Sequence, residues 1–192
     1  MKTLCTTLLL CAVVTLSGCL SYSHNQLKQV EQWPLGSEQA QAPSAYIKIE
    51  TQYLHNEKPH NAQFNLPKLE ERILKEYQSS QRFTQVTTER VNSDLYIDIR
   101  LTNHERSNLV MAFISGFSLM LIPTKADNEL IMETTFKDAQ GTELGKVTKR
   151  EALTTWIQIG LIFAIPFNPS LDPILSKLTR STLEEAADKR LI

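Results

Sequence analysis

Apolar positions recur along this chain with two different periods, and the switches between them mark the elements. In Ala45-Tyr46-Ile47-Lys48-Ile49-Glu50 every second residue is apolar, so Ala45, Ile47 and Ile49 share one face of a half-buried strand. Asn65-Leu66-Pro67 then offers a cap and an early-turn proline. Leu66, Leu69, Ile73, Leu74 and Tyr77 follow at helical spacing, which predicts a helix to about residue 81. Residues 83–88 read as a short strand. Residues 94–103 give the cleanest alternation, with Leu95, Ile97, Ile99 and Leu101 inward against Tyr96, Asp98 and Arg100, which implies one solvated face. Strands over 129–137 and 143–155 flank Asp138-Ala139-Gln140-Gly141, whose glycine suits the left-handed position of a hairpin loop. Asp172-Pro173 opens a last helix whose apolar face carries Ile174, Leu175, Leu178, Leu183 and Ala186 and which ends near residue 190. The predicted order is β-α-β-β-β-β-α. It specifies a single α+β domain with a mainly antiparallel sheet and two helices packed on one face.

Two segments do not fit a meander with one solvated face: residues 107–124 and 152–171 carry no charge. In the first, two apolar arms, 109–114 and 117–122, flank Ser115-Gly116, which predicts a hairpin of two dry strands around a two-residue turn. The second runs from Trp156 through Ile162 and Phe163 to Phe167. As a helix, 109–122 would span about 21 Å, short of the ~30 Å hydrocarbon core, so a membrane-crossing helix is disfavoured. Two environments satisfy such runs: the central core beneath the helices, or an exposed apolar patch of the size that marks a membrane or protein contact. On the second alternative the contact residues are Phe113, Ile114, Phe117 and Leu119 from the first segment. Trp156, Ile162 and Phe163 would join them from the second.

The N-terminus has a different pattern. Lys2 precedes an apolar stretch centred on residues 8–16, no acidic residue occurs before Glu31, and the run closes on Leu16-Ser17-Gly18-Cys19. These are the parts of an export signal, with a cysteine where an ordinary signal ends in small residues. The tetrapeptide resembles the lipobox of bacterial lipoproteins. That resemblance implies cleavage between Gly18 and Cys19 and acylation of Cys19 with two or three chains, which is firm anchoring. Leu20 rather than Asp after the cysteine implies sorting to the outer membrane. The domains expected are a signal peptide (1–18), a lipidated cysteine and flexible tether (19–44) and the α+β domain (45–192). The tether is read from a polar, Gln-rich composition with Pro34, Gly36 and Pro43 as breakers, and Trp33 stands out in it as a residue able to dock on the domain.

Removing residues 1–18 of the 192 leaves 174, with 19 basic against 21 acidic residues, a balance without an electrostatic footprint for nucleic acid. Cys5 and Cys11 leave with the signal and Cys19 is alkylated. The mature chain is therefore expected to have neither thiol chemistry nor a disulfide. No nucleophile elbow, zinc-protease helix, phosphate loop or calcium loop is present. His24, His55, His60 and His104 are read as tether and loop residues. His55 and His60 with Glu57 have the composition of a metal site but lie in a loop without rigid support. His104-Glu105-Arg106 reads as a polar collar beside the first uncharged segment. No cofactor or metal is expected.

The element order over 45–190, with the turn Lys137-Asp138-Ala139-Gln140-Gly141, is similar to the α/β domains of envelope lipoproteins: the curli-secretion, penicillin-binding-protein-activator and transporter-auxiliary lipoproteins. It implies a periplasm-facing domain on the outer membrane. Its partners are membrane lipid through acylated Cys19 and an envelope protein or a second copy of the chain. The expected function is non-enzymatic: assistance or scaffolding of an envelope assembly through the apolar surface 109–122 and 156–167. The alternative is a carrier for lipid or another hydrophobic ligand.

Overall fold

The computed structural model describes residues 18–36, 42–62, 64–161 and 171–192. The strands are β1 (Gly18–Ser23), β2 (Ser44–His55), β3 (Lys58–Pro59), β4 (Gln85–Thr87), β5 (Leu95–Ser107), β6 (Thr124–Asp138) and β7 (Glu143–Gln158). The helices are α1 (Leu66–Ser79), α2 (Leu109–Phe117) and α3 (Leu171–Asp188). All seven strands form one sheet in the order β1-β7-β6-β5-β2-β3, with β4 also on β2. The β5, β6 and β7 meander is antiparallel, whereas β2 and β5 run parallel because α1 forms the crossover between them.

Period-2 alternation decides which face is covered. Ile47, Ile97, Ile99, Leu101, Met132, Phe136 and Val147 point to the helix side and are almost fully buried. From α1, Leu69, Ile73 and Tyr77 meet them, and from α3, Leu178, Leu183 and Ala186. The opposite face is an ion-pair lattice: Lys48 with Glu50 (2.7 Å), Lys137 with Asp98 (2.6 Å) and Lys146 with Glu133 (3.0 Å). This is the α+β domain expected, with α1 and α3 on one sheet face. The expected hairpin is present too: Gly141 has φ +83, and the Asp138 carboxylate accepts from the N–H groups of Gln140 and Thr142.

Three features differ from expectation. Residues 109–117 form a helix, not one arm of a hairpin. A uniformly apolar run has neither period, and the Asn108 carboxamide decides the matter by accepting from the N–H groups of Val110 (3.0 Å) and Met111 (3.1 Å). Secondly, His104 is not a loop residue but a buried member of β5, and His55 belongs to β2.

The third difference is the segment after Cys19, which is part of the domain where a flexible tether was expected. Residues 18–23 add an antiparallel edge strand to β7, with Cys19 opposite Ile157 and Ser23 opposite Leu153. Val30 is buried, Leu27, Trp33 and Leu35 pack on the core, and the Arg180 guanidinium lies 4.9 Å from the centre of the Trp33 ring. Arg180 also donates to the buried Glu76 of α1 at 2.7 Å, so Trp33 covers the ion pair that ties α1 to α3.

The chain returns here because of Glu151, an acidic residue on the helix-facing side of β7 with no solvent exposure. Its carboxylate accepts from Ser23 Oγ (2.7 Å), Gln26 N (3.2 Å) and Leu27 N (3.1 Å), with Lys177 Nζ at 3.7 Å. Burial pushes its pKa up, but these donors and Lys177 outweigh it and hold the group below the usual glutamate value. A carboxyl with a depressed folded pKa contributes its stability above the unfolded value and loses it as pH falls through the folded one. Glu151→Ala leaves three donors without their acceptor and is expected to cost about 3 kcal/mol, measured by urea unfolding. Glu151→Gln should flatten the acid limb of the stability profile below about pH 4.5.

Candidate functional site: the apolar end of the sheet

Helix α2 is inverted with respect to a soluble surface helix. Its one buried residue is Ser115, while Phe113 and Phe117 are 74% and 86% exposed and stack on each other with ring centres 6.5 Å apart. A surface helix ordinarily hides an apolar stripe and shows a polar one. Of the fourteen large apolar side chains exposed among the described residues, nine lie between Leu109 and Ile122. Elsewhere among the described residues, exposed large apolar side chains are scattered singly. The nine form a single patch.

The loop that follows is held rigidly. Leu119 and Met120 both take left-handed backbone (φ 53 and 62), where glycine is the usual occupant, at about 1 kcal/mol or more each. Met120 N donates to Ser115 O at 2.7 Å, and Ile159 N donates to Met120 O at 3.1 Å. The first bond ties the loop to α2 and the second to the chain beyond β7, with Leu119 and Leu121 outward, 56% and 66% exposed.

The same end of the sheet carries Cys19. In the registers, Ile157 of β7 stands opposite Cys19 on one side and Thr124 on the other. With strands ~4.8 Å apart, the Cys19 backbone lies about 10 Å from the point where the apolar loop rejoins the sheet. Trp156, 38% exposed, stands between Leu20 and Lys125. Cationic Arg106 and Lys125 flank the uncharged run, each paired with acids: Arg106 with Glu57 and Glu129, Lys125 with Asp127.

Behind α2 sits the polar collar. Arg106 donates to His104 Nδ1 at 3.0 Å, and since a guanidinium has no acceptor, the ring proton is assigned to Nε2. That nitrogen lies 3.1 Å from Glu57 Oε1, within ion-pair distance but out of hydrogen-bond alignment. Asn56 donates to Ser107 O and accepts from Ser107 N, fastening the 56–57 turn over the end of β5. Tyr53 donates to Glu105, and burial together with that bond pushes the phenol up to about 12. His55 and His60 meet edge to face, with ring centres 5.9 Å apart. Among the described residues no group of His, Cys, Asp and Glu is placed to hold a metal, and no helix is long and apolar enough to cross a membrane.

Of the residues singled out in the sequence, Phe113, Ile114, Phe117 and Leu119 come together on this patch, with Trp156 nearby on β7. Gly18 and Cys19 begin β1. Ile162, Phe163 and residues 1–17 of the signal lie outside the described residues. Sequence reasoning missed Asn108 and Glu151. Asn108 is a residue type that caps helices and stands directly before an uncharged run long enough for a short helix, which is a capping signal. Glu151 has no signal beyond an acidic residue at an inward position of a strand.

No family model matches this chain, and no curated protein is similar to it. Among solved structures, the chain is similar to the PelC dodecamer from Paraburkholderia phytofirmans, with a TM-score of 0.35 and 8% identity over 87% of this chain and 94% of that one. A likeness of that size carries no argument about function.

Because Asn108 supplies the cap, Asn108→Ala is expected to cost about 1 kcal/mol and to speed amide hydrogen exchange in 110–114 ahead of the strands.

Proposed function

We propose that this chain is a periplasm-facing lipoprotein of the outer membrane, anchored by acylated Cys19, which assists or scaffolds an envelope assembly without catalysis. The observation that carries the reading is the rigid, uncharged patch 109–122 at the sheet end that also carries Cys19. A patch of this kind is costly to leave in water and marks a contact. Its residues lie on the outside of the fold, which favours a contact surface over the lining of a carrier.

A second reading, a site for a hydrophobic ligand, is favoured by a separate cleft of about 350 Å³ between α1, α3 and the sheet. Leu69, Leu101, Leu130 and Leu175 line it, with Lys68 and Asp172 at its rim. Narrowing this cleft with Leu130→Phe is expected to abolish uptake of a fluorescent fatty acid if the cleft is a ligand site, and unchanged uptake would remove that reading.

For the leading proposal, Cys19→Ala is expected to abolish metabolic labelling with palmitate and to lower the share of the protein in the outer-membrane fraction. A photo-crosslinking residue at Phe117 in the acylated protein should give an adduct with an envelope component, phospholipid or protein, in living cells. Persistent acyl labelling of Cys19→Ala, or no adduct at Phe117 in well-expressed protein, would count against it.

A further inference from the structure

We infer that α2 and the 118–122 loop are a second membrane contact, seated in the headgroup region of the leaflet that holds the Cys19 acyl chains. The inference rests on the lipoprotein reading of Cys19 and assigns the apolar patch to a lipid surface rather than to a protein.

The argument begins with the missing tether. Cys19 is already in β1, paired through to Ser23, and the Glu151 carboxylate holds residues 23–27 directly behind that strand. No flexible chain separates the acylated residue from the folded domain. Acyl chains on Cys19 therefore bring this end of the sheet to the bilayer, whereas a free linker of some 25 residues would let the domain stand tens of ångströms away.

What the domain presents there has the composition of an interfacial segment. Residues 107–124 are uncharged, Phe113 and Phe117 project furthest into solvent, and Leu119, Leu121 and Ile122 extend the same patch. Trp156 lies on the adjacent strand, as aromatic residues do at headgroup depth. Arg106 and Lys125 stand where the uncharged run ends, each already paired with acids (Glu57 and Glu129, Asp127), so the contact rests on the apolar side chains and not on attraction to phosphate. At nine residues α2 cannot span a bilayer, but it is long enough to lie in the interface. The left-handed Leu119 and Met120 point the same way: glycine would relieve the backbone, yet the chain keeps large apolar side chains at the tip.

A lipid anchor and an apolar wedge also divide the work differently. The acyl chains retain the protein, and the wedge sets its orientation. With both engaged, the polar sheet face and the hairpin turn at 138–141 are held away from the lipid, because Gly141 lies at the opposite end of β6 and β7.

The test uses the acylated mature protein, residues 19–192, in phosphatidylethanolamine and phosphatidylglycerol vesicles, with the acyl groups verified by mass spectrometry. Since Cys19 is blocked, Phe117→Cys takes a fluorophore selectively, and Gln140→Cys does the same at the far end. Nitroxide lipid labelled near the headgroup end of the acyl chain is expected to quench the Phe117 probe at least about twofold and to leave the Gln140 probe unquenched. Separately, the unacylated Cys19→Ser chain made without residues 1–18 should partition onto these vesicles, and Phe113→Asp with Phe117→Asp should lower that partition about tenfold or more. Those two side chains are exposed, so circular dichroism and melting should not change. An unquenched Phe117 probe on acylated, vesicle-bound protein overturns the inference and leaves the anchor intact. A discrete protein adduct at Phe117 in cells also overturns it, in favour of a partner or a second copy. If mass spectrometry shows no acyl group, the lipoprotein reading fails by itself, and the partition of the unacylated chain still decides the wedge.

Discussion

A buried carboxylate on β7 determines where the N-terminal segment of this protein goes. Glu151 is shielded from water and would be costly there alone, and the Ser23 hydroxyl and the backbone N–H groups of Gln26 and Leu27 satisfy it. The dependence is mutual. Residues 18–23 pair at a sheet edge, where the Ser21 and Thr155 hydroxyls lie 2.9 Å apart, and Glu151 gives the end of that strand and the turn beyond it a reason to stay. Val30 and Trp33 follow onto the helix layer, and Arg180 joins Trp33 to the Glu76 ion pair. Residues whose composition is that of a linker thereby become part of the fold.

On the proposed lipoprotein reading, that constraint converts a local sequence signal into a global orientation. A cysteine at the head of a free linker would say only that the protein is retained near a membrane. Set in β1 opposite Ile157, it selects one end of a seven-stranded sheet, which is the end where α2 presents its phenylalanines. Among the described residues, the uncovered face of the sheet has the opposite character. It is laced with Lys, Arg, Asp and Glu pairs, which suits solvent or a polar partner.

Much of the architecture was legible because alternation and helical spacing report burial directly. β2, β5, α1, α3 and the Asp138 to Gly141 turn were all readable on that basis. The parallel pairing of β2 with β5 was not, since periodicity says nothing about strand direction; it follows from α1 crossing the sheet between them. Residues 109–122 defeated the same method for a different reason. When every position is apolar no period remains, and Ser115-Gly116 looks like a turn. In the fold Ser115 is instead the side chain turned inward, and Asn108 starts the helix. His104 was misread because its neighbours Glu105 and Arg106 are polar, although it sits in a strand beneath Glu57 and Arg106.

The sequence by itself determined the α+β class, the two core helices, the hairpin and the presence of two charge-free segments, because each depends on residues close together in the chain. Tertiary structure alone decided that the segment after Cys19 docks, that 109–117 is an exposed helix rather than core, and that both lie at one end of the sheet. Those outcomes depend on pairings between residues far apart, Ser23 with Glu151, Cys19 with Ile157 and Met120 with Ile159, and no local pattern encodes which distant donor a buried carboxylate or an edge strand will find.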